Sequence, residues 1–355
     1  MTERTSTPAR ETIADRLDRT LPALSPEVRS IAFDALEPVD RSFPVALCRA
    51  SAGAVSSDGP SARTLESIAL VVEPLQGYVR LRNDLLAADR YESAAERDAA
   101  ILAGDYLHAF AHASIGDASP ADGGRLELFR VLTDASNALA SAYATSEGDS
   151  GSDTTPVSDP SRTSRPDRPA GDAPTAILAG AAAELGAAAA GATETVRESA
   201  RAYGASLSRA LSIAERGSVD TRDESPRWVA TRVLSARSFD DDTDEPPLSA
   251  SECALDGPVG NRDGSLEAGD RSAVLEDELE SARSALETIE TVDPIDRGPA
   301  TADGEDSPAV DDPARSAQGS SDRHSDDIHQ SELAPRTRLE RAAHLPFQGL
   351  LAADE

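Results

Sequence analysis

Two groups of residues have types and spacing that could do chemistry, and the first is the acidic run D-D-D-T-D at residues 240–244. Carboxylates this closely spaced can supply several of the oxygen ligands that Mg²⁺ prefers, and a bound Mg²⁺ neutralises phosphate groups. Pro246 and Pro247 follow the run, and no apolar helix pattern flanks its C-terminal side. A solvated acidic loop is therefore the alternative interpretation of these aspartates.

The second group lies in the stretch A-A-I-L-A-G-D-Y-L-H-A-F-A-H-A-S-I, residues 99–115, whose apolar residues follow helical spacing. Gly104 and Asp105 stand side by side in its middle, and we interpret Asp105 as a hydrogen-bonded helix residue rather than a catalytic one. His108 and His112 are one helical turn apart, which is compatible with a metal site. No third ligand is evident, so the simpler interpretation is two histidines on the helix surface or in a polar core.

The charge balance excludes some classes of partner. The chain carries 64 Asp and Glu against 34 Lys and Arg, a formal net charge of −30, and every cationic side chain is Arg. A field of this sign repels nucleic acid and anionic lipid. Because the acidic residues occur in every segment, we interpret the charge as adaptation to the salt-rich cytoplasm of a halophilic organism rather than as one acidic tail.

The cysteines and the N-terminus predict a cytoplasmic protein. Cys48 and Cys253 lie far apart without metal-binding spacing, which is typical of free structural thiols. The N-terminus is charged and lacks the apolar segment of a signal peptide. No run of about 18 apolar residues is present, so we expect no transmembrane segment.

Helical periodicity without alternating strand patterns predicts an all-α protein. The helices are expected at residues 9–36 (with a break at Ser25-Pro26), 44–54, 64–90, 95–116, 123–146, 174–193, 194–216, 225–238, 273–290 and 335–352. The organisation that follows is a half-bundle at 1–146, a disordered linker at 147–172, a second half-bundle at 173–238, an acidic loop at 239–272, a helix at 273–290, a disordered stretch at 291–331 and a C-terminal helix at 332–355.

Three motifs in this order resemble the trans-prenyltransferases, the polyprenyl diphosphate synthases of the isoprenoid synthase fold. They are A-I-L-A-G-D-Y-L at residues 100–107, P-T-A-I-L-A-G-A-A-A-E-L-G-A at 174–187 and A-Y-G-A-S-L-S-R-A-L-S-I at 202–213. The resemblance implies a helical bundle around a central cavity. It also implies architectural roles for four residues, Gly104, Asp105, Tyr203 and Gly204, with Gly104 allowing close helix packing.

The same resemblance implies that the chemistry has been lost. The family holds Mg²⁺ on two D-D-x-x-D clusters that bind a diphosphate leaving group. At the first position this sequence reads E-P-L-Q-G, residues 73–77, and at the second it reads I-A-E-R-G-S-V, residues 213–219. Glu73 and Glu215 are the carboxylates that remain, whereas Gly77 and Arg216 stand where metal ligands belong.

Weakened remnants of the family's diphosphate-binding residues are Arg41, Arg80, Arg82 and Thr175. The run that contains Asp240, Asp241 and Asp244 does fit D-D-x-x-D, but it comes later in the chain than the family's second cluster. It is the alternative metal site, and otherwise we expect no metal.

The leading hypothesis is a polyprenyl synthase-like protein without catalytic activity, a regulatory partner in isoprenoid biosynthesis that needs no cofactor. It would form a homodimer or a heteromer with an active prenyl synthase. One alternative is an active prenyltransferase that condenses an allylic diphosphate with isopentenyl diphosphate, using Mg²⁺ on displaced ligands such as Asp84, Asp89 and residues 240–244. Another is a module that binds a prenyl chain or lipid, with cavity walls from the Ala-rich helix 174–193.

The net charge predicts salt-dependent stability. Transfer from about 3 M KCl to 10 mM KCl should lower the cooperativity and midpoint of thermal unfolding, because the Debye length grows from about 3 Å at 1 M to about 30 Å at 0.01 M. Circular dichroism melts across a KCl series measure this. An unchanged cooperative melt at low salt would contradict the interpretation of the charge as a salt adaptation.

Overall fold

The computed structural model describes residues 24–36, 42–55, 61–87, 90–116, 124–148, 172–217, 225–235, 268–291 and 334–347. These residues form helices and turns, without a strand among them, which confirms the all-α prediction. No helix in the described part is both long enough and apolar enough to cross a membrane.

In the described residues before the predicted linker, five helices are present. They are α1 (Pro26–Asp34), α2 (Phe43–Val55), α3 (Ala62–Ala87), α4 (Ala94–Ser114) and α5 (Gly124–Gly148). Each lies within about three residues of a predicted helix, except that residues 9–23 are outside the described residues. The start of α4 is fixed by a capping box, in which the Ser93 hydroxyl accepts the Glu96 N–H at 3.1 Å and the Glu96 carboxylate accepts the Ser93 N–H at 3.0 Å.

The described residues from 172 onward contain five further helices and one short turn. They are α6 (Asp172–Ala189), α7 (Glu194–Gly217), α8 (Pro226–Ser235), α9 (Ala268–Thr291), α10 (Pro335–Ala342) and a 3₁₀ turn (Leu345–Phe347). The predicted helix at 335–352 is too long, because α10 ends at Ala342 and Pro346 lies in the 3₁₀ turn. A proline cannot donate the N–H that would continue the helix, so the chain turns there.

A glycine separates α6 from α7. Gly191 has a φ of 78°, and the N–H groups of Gly191 and Ala192 donate to the carbonyls of Ala188 and Ala187 at 3.0 Å each. This is the Schellman arrangement, which satisfies the last carbonyls of a helix and needs a left-handed residue at the position after the cap. The chain can therefore reverse direction and pack α7 back along α6.

Helix α6 lies at the centre of the bundle and packs against α2, α3, α5 and α7. Its Leu178, Ala182 and Leu185 belong to one hydrophobic core, shared with helices α1 to α5. Its Ala179 and Ala183 belong to a second core, shared with α2 and with helices α7 to α10. A helix that is apolar on all sides must be buried on all sides, and this one joins the two cores.

Three glycines let the neighbouring backbones approach α6. A Cβ added at Gly186 would lie 2.0 Å from the carbonyl oxygen of Cys48 in α2, and one added at Gly204 would lie 2.6 Å from the carbonyl oxygen of Ala179. A Cβ at Gly180 would lie 2.9 Å from the carbonyl oxygen of Arg201. These contacts involve backbone atoms, so a side chain at any of the three positions requires the helices to separate.

Gly104 in α4 is buried, but its surroundings are looser than the close helix packing that the resemblance implied. A Cβ added there would meet Tyr78 at 3.7 Å and Leu81 at 3.8 Å, which is ordinary contact distance. The adjacent Asp105 is exposed on the surface of the bundle rather than buried in its interior. Its carboxylate lies 3.7 Å from Arg82. Gly104 and Asp105 therefore lie on different sides of α4, since consecutive helix residues point about 100° apart.

The glycines should respond differently to the same change. Gly186→Ala should lower the free energy of unfolding by about 3 kcal/mol, because the added methyl meets a backbone carbonyl that cannot move alone. Gly104→Ala is the matched control and should be neutral or up to about 1 kcal/mol stabilising, because alanine is the better helix former. Urea unfolding at constant high KCl compares them, and equal free energies for both variants would contradict the packing described here.

Candidate functional site

The positions that the resemblance assigns to metal ligands lie on two helices. Glu73 and Gly77 lie in the middle of α3, and Glu215 lies in the last turn of α7. At the start of α2, Ser42 contacts Gln76 of α3, and Phe43 contacts Arg227 of α8, the arginine that pairs with Glu215. The site is described below as the α2 N-terminal cluster, whose residues are Ser42, Phe43, Gln76, Ser212, Glu215 and Arg227.

On the α3 side, the cluster is held by a buried hydrogen bond. The Ser42 hydroxyl donates to the side-chain oxygen of Gln76 and accepts the N–H of Val45 at 3.3 Å, so it caps α2 and joins it to α3. Glu73 lies one turn before Gln76 and is only 4% exposed. The carboxylate of Glu73 is therefore part of the packed interior at this end of α3.

Gly77 serves the packing between α3 and α4. A Cβ added to it would lie 2.8 Å from a methyl group of Leu107 and 3.3 Å from one of Leu36. The space that a side chain at this position would occupy is already filled by apolar groups. A side chain at residue 77 would therefore require Leu107 to move.

On the α7 side, an arginine is paired with the glutamate. The Arg227 guanidinium of α8 lies 3.3 Å from the Glu215 carboxylate and donates to the Ser212 hydroxyl at 3.1 Å. It also lies over the Phe43 ring, 5.4 Å from the ring centroid. Because both charged side chains are largely buried, the ion pair satisfies Glu215, the carboxylate expected to remain at the second cluster position.

Arg216 follows Glu215 in the chain but points away from the Glu215–Arg227 pair's buried surroundings. It is exposed in the last turn of α7, where a cation interacts favourably with the helix dipole. The cation that neutralises Glu215 is Arg227, which sequence reasoning missed. Residues 226–229 read P-R-W-V, an ordinary helix start that carries no signal for a contact with α7.

The predicted diphosphate-binding remnants are spread over the bundle. Arg82 lies 3.7 Å from Asp105 and 5.7 Å from the Tyr78 ring centroid, on the outer side of α3 and α4. Arg80 is half-buried and acts electrostatically on Asp84. Thr175 is buried in the first turns of α6, and Arg41 lies outside the described residues.

The displaced ligands of the alternative hypothesis are only partly within the described chain. Asp84 forms an ion pair with Arg90 at 2.7 Å. Burial raises the pKa of Asp84, and the charges of Arg90 and Arg80 oppose that rise. The other candidate ligands, Asp89, Asp240, Asp241 and Asp244, lie outside the described residues. Within the described part of the chain, no three His, Cys, Asp or Glu residues are placed to hold a metal ion.

Tyr203 and Gly204 lie in the packed interior of α7 against its neighbours. Tyr203 is fully buried, and its hydroxyl donates to the Leu339 carbonyl of α10 at 2.7 Å. Burial raises the pKa of Tyr203, so the phenol stays neutral and keeps its hydrogen bond. Cys48 is likewise a free, buried thiol whose pKa burial raises to about 12, and Cys253 lies outside the described residues.

A groove of about 450 Å³ lies apart from this cluster, between α5, α6 and α7. Alanines and Gly180 form much of its lining, and its charged groups are those of Asp134, Glu184, Glu198, Arg201 and Arg209. The buried Glu184 carboxylate lies 3.7 Å from Arg201, and burial raises the pKa of Glu184. The groove thus has an apolar lining with nearly balanced charge.

The fold is an all-α bundle with a polar cluster at the start of α2. Solved structures with a similar fold include polyprenyl synthases. A polyprenyl synthetase from Streptomyces coelicolor A3(2) is 19% identical, with 80% of this chain and 92% of that chain covered and a TM-score of 0.49. An FPP/GFPP synthase from Zymomonas mobilis is 18% identical, with 78% and 90% covered and a TM-score of 0.47. A decaprenyl diphosphate synthase from Rhodobacter capsulatus is 16% identical, with 96% and 100% covered and a TM-score of 0.44.

No family model and no curated protein matches the sequence. Identities below 20% assign neither an activity nor a substrate to this chain.

A double-mutant cycle tests the ion pair in the α2 N-terminal cluster. Arg227→Met should lower the free energy of unfolding by about 2 kcal/mol, because it leaves the Glu215 carboxylate largely buried without its counter-ion. Adding Glu215→Gln should restore part of that loss, with a coupling energy of about 1 kcal/mol from urea unfolding. Strictly additive losses would contradict the pairing.

Proposed function

We propose that this chain is a polyprenyl synthase-like protein that no longer transfers prenyl groups and acts as a non-catalytic subunit beside an active prenyl synthase. The motifs at residues 100–107, 174–187 and 202–213 support the family. The observation that carries the loss of catalysis is the contact between Arg227 and Glu215.

That contact bears directly on metal binding. A diphosphate leaving group carries several negative charges, and Mg²⁺ ions on clustered carboxylates are the means by which such charge is neutralised. Here the one carboxylate at the second cluster position already has a guanidinium partner, and a Mg²⁺ ion would have to displace it against charge repulsion. At the first position, Gly77 packs against Leu107 and offers no ligand.

A role through association is supported by the outer face of α4. Ile101 and Leu102 are 38% and 57% exposed, and Ala109 and Ala113 extend the same apolar surface toward the end of the helix. The charged residue on this face is Asp105, whose carboxylate lies 3.7 Å from Arg82, so on a chain with a net charge of −30 another subunit meets reduced repulsion there. The proposed occupant is a prenyl synthase subunit that retains both aspartate clusters, in the cytoplasm.

The absence of catalysis is tested with the purified chain alone. At high KCl with Mg²⁺, an allylic diphosphate and isopentenyl diphosphate should give no diphosphate release above the rate without protein, because losing the metal ions raises the barrier by several kcal/mol, or several powers of ten in rate. Turnover that disappears in Asp241→Ala and Asp244→Ala, but not in the exposed control Asp98→Ala, would overturn the proposal in favour of displaced ligands.

Association is tested by co-expression with the aspartate-rich prenyl synthase of the same cell. The two chains should co-purify at high KCl and the mixture should make a product of altered chain length. Leu102→Glu should abolish co-purification, because it places a charge in the apolar face, whereas Leu86→Glu, at an exposed leucine of α3, should not. Failure of the wild-type chains to co-purify, or equal loss with both variants, would contradict the role of α4.

A second candidate function is binding of an apolar ligand in the groove between α5, α6 and α7. Its volume of about 450 Å³ and its alanine-rich lining favour an elongated apolar molecule such as a prenyl chain. Ala181→Trp should fill the groove and remove any lipid that is retained without turnover through purification. Lipid extraction and mass spectrometry of the wild type and of Ala181→Trp measure this. A lipid found only in the wild type supports ligand binding, whereas no lipid in either protein supports a subunit that acts by association alone.

A further inference from the structure

Two histidines of α4 meet one hydroxyl of α5. Nε2 of His108 lies 2.8 Å from Oγ of Ser136, and Nε2 of His112 lies 3.2 Å from the same oxygen. The two imidazole rings are 4.9 Å apart and nearly perpendicular. Since α4 packs mainly on α3 and α1 and α5 packs mainly on α6, these bonds link two helices through their side chains.

The hydrogen count of this cluster limits its protonation state. A serine hydroxyl has one hydrogen and can donate it to only one nitrogen. Both contacts are fully used when one imidazole accepts the Ser136 hydrogen and the other donates its own N–H to Ser136. The accepting imidazole must then be neutral.

Aromatic side chains cover one side of the cluster. The Tyr78 ring of α3 lies 5.0 Å from the His108 ring, and the Tyr143 ring of α5 meets Tyr78 edge-on at 6.4 Å. The Tyr143 hydroxyl donates to the Val79 carbonyl at 3.2 Å, which fixes that edge of the cluster to α3. The imidazoles are therefore half-buried against apolar rings rather than surrounded by water.

Few charges act on the imidazoles. Burial lowers the pKa of His108, with Asp105 of α4 opposing that change and Arg82 of α3 adding to it. Burial also lowers the pKa of His112, and the proximity of His108 lowers it further. The α5 group that faces the pair is the neutral hydroxyl of Ser136.

We propose that His108, Ser136 and His112 form a pH-sensitive clamp between α4 and α5, closed while one imidazole is neutral and released when both are protonated. Addition of the second proton converts the accepting nitrogen into a donor. The Ser136 hydrogen then loses its acceptor, and two positive rings stand 4.9 Å apart.

The sign of the pH effect follows from the pKa directions. In the unfolded chain both histidines regain a pKa of about 6.5, so the unfolded chain binds more protons than the folded chain near pH 6. The stabilisation by the clamp is fully present above that pH. It is lost as the pH falls through the lower pKa values of the folded chain.

Unfolding of the full chain as a function of pH tests the clamp. Between pH 7.5 and 5.5 at constant high KCl, the unfolding equilibrium constant of the wild type should rise by up to about tenfold per pH unit for each additional proton bound on unfolding. The double variant His108→Gln/His112→Gln should show a clearly shallower rise. His344→Gln, at an exposed histidine near the C-terminal turn, is the control and should keep the wild-type slope.

Titration of the histidine ring protons by NMR gives an independent result if the double variant folds poorly. In the wild type, two of the five histidines should titrate below pH 6.5 with mutually dependent curves. Ser136→Ala should move the lower midpoint upward, because it removes the hydrogen-bond donor of the imidazole that must be neutral. Midpoints that are unchanged by Ser136→Ala, or an unfolding slope that the double variant shares with the wild type, would overturn the clamp.

Discussion

The close approach of α6 to its neighbours is the contact on which the rest of the bundle depends. Aromatic residues make up only 3% of this chain, so large side chains cannot fill wide gaps between helices. Alanine and glycine instead bring backbones together, with the Cys48 carbonyl at Gly186 and the Ala179 carbonyl at Gly204. Dispersion falls steeply with distance, so short separations supply packing energy that small side chains alone would not. Because α6 is shared by both cores, its spacing also sets where α3 and α7 lie across the bundle.

Ion pairs with arginine stabilise the acidic residues that lie in the interior of the bundle. Four largely buried carboxylates each lie within 4 Å of an arginine, in the pairs Glu215–Arg227, Glu278–Arg209, Asp84–Arg90 and Glu184–Arg201. A guanidinium is planar and has five donors, so it can serve a carboxylate and a hydroxyl together. Arg227 does this with Glu215 and Ser212, and Arg209 does it with Glu278 and Ser206. The polar cluster at the start of α2 is thereby internally satisfied, which is the physical basis for proposing a protein that associates rather than catalyses.

Helix α4 combines three environments within a few turns. Gly104 and Leu107 face the core, Asp105 and Leu102 face outward, and His108 points toward Ser136 of α5. A buried-looking helix can therefore carry a carboxylate next to a glycine, because the two residues lie on different sides. The same division separates the apolar face proposed for association from the histidine pair proposed to respond to pH. A change at one of these faces need not disturb the other.

The sequence by itself determined the class of fold and nearly all helix positions, because a 3.6-residue apolar period is a local property of the chain. Its resemblance to the prenyl synthases also predicted that Glu73, Gly77 and Glu215 correspond to the two aspartate-cluster positions. Only the tertiary structure decided that Arg227 neutralises Glu215, that Ser136 joins the two histidines, and that Gly186 is packed more tightly than Gly104. These contacts join residues on different helices, and sequence spacing within one helix carries no information about which side chain of another helix lies opposite. The distances between helices, and hence the pairing of charges at the site, arise only when the bundle is assembled.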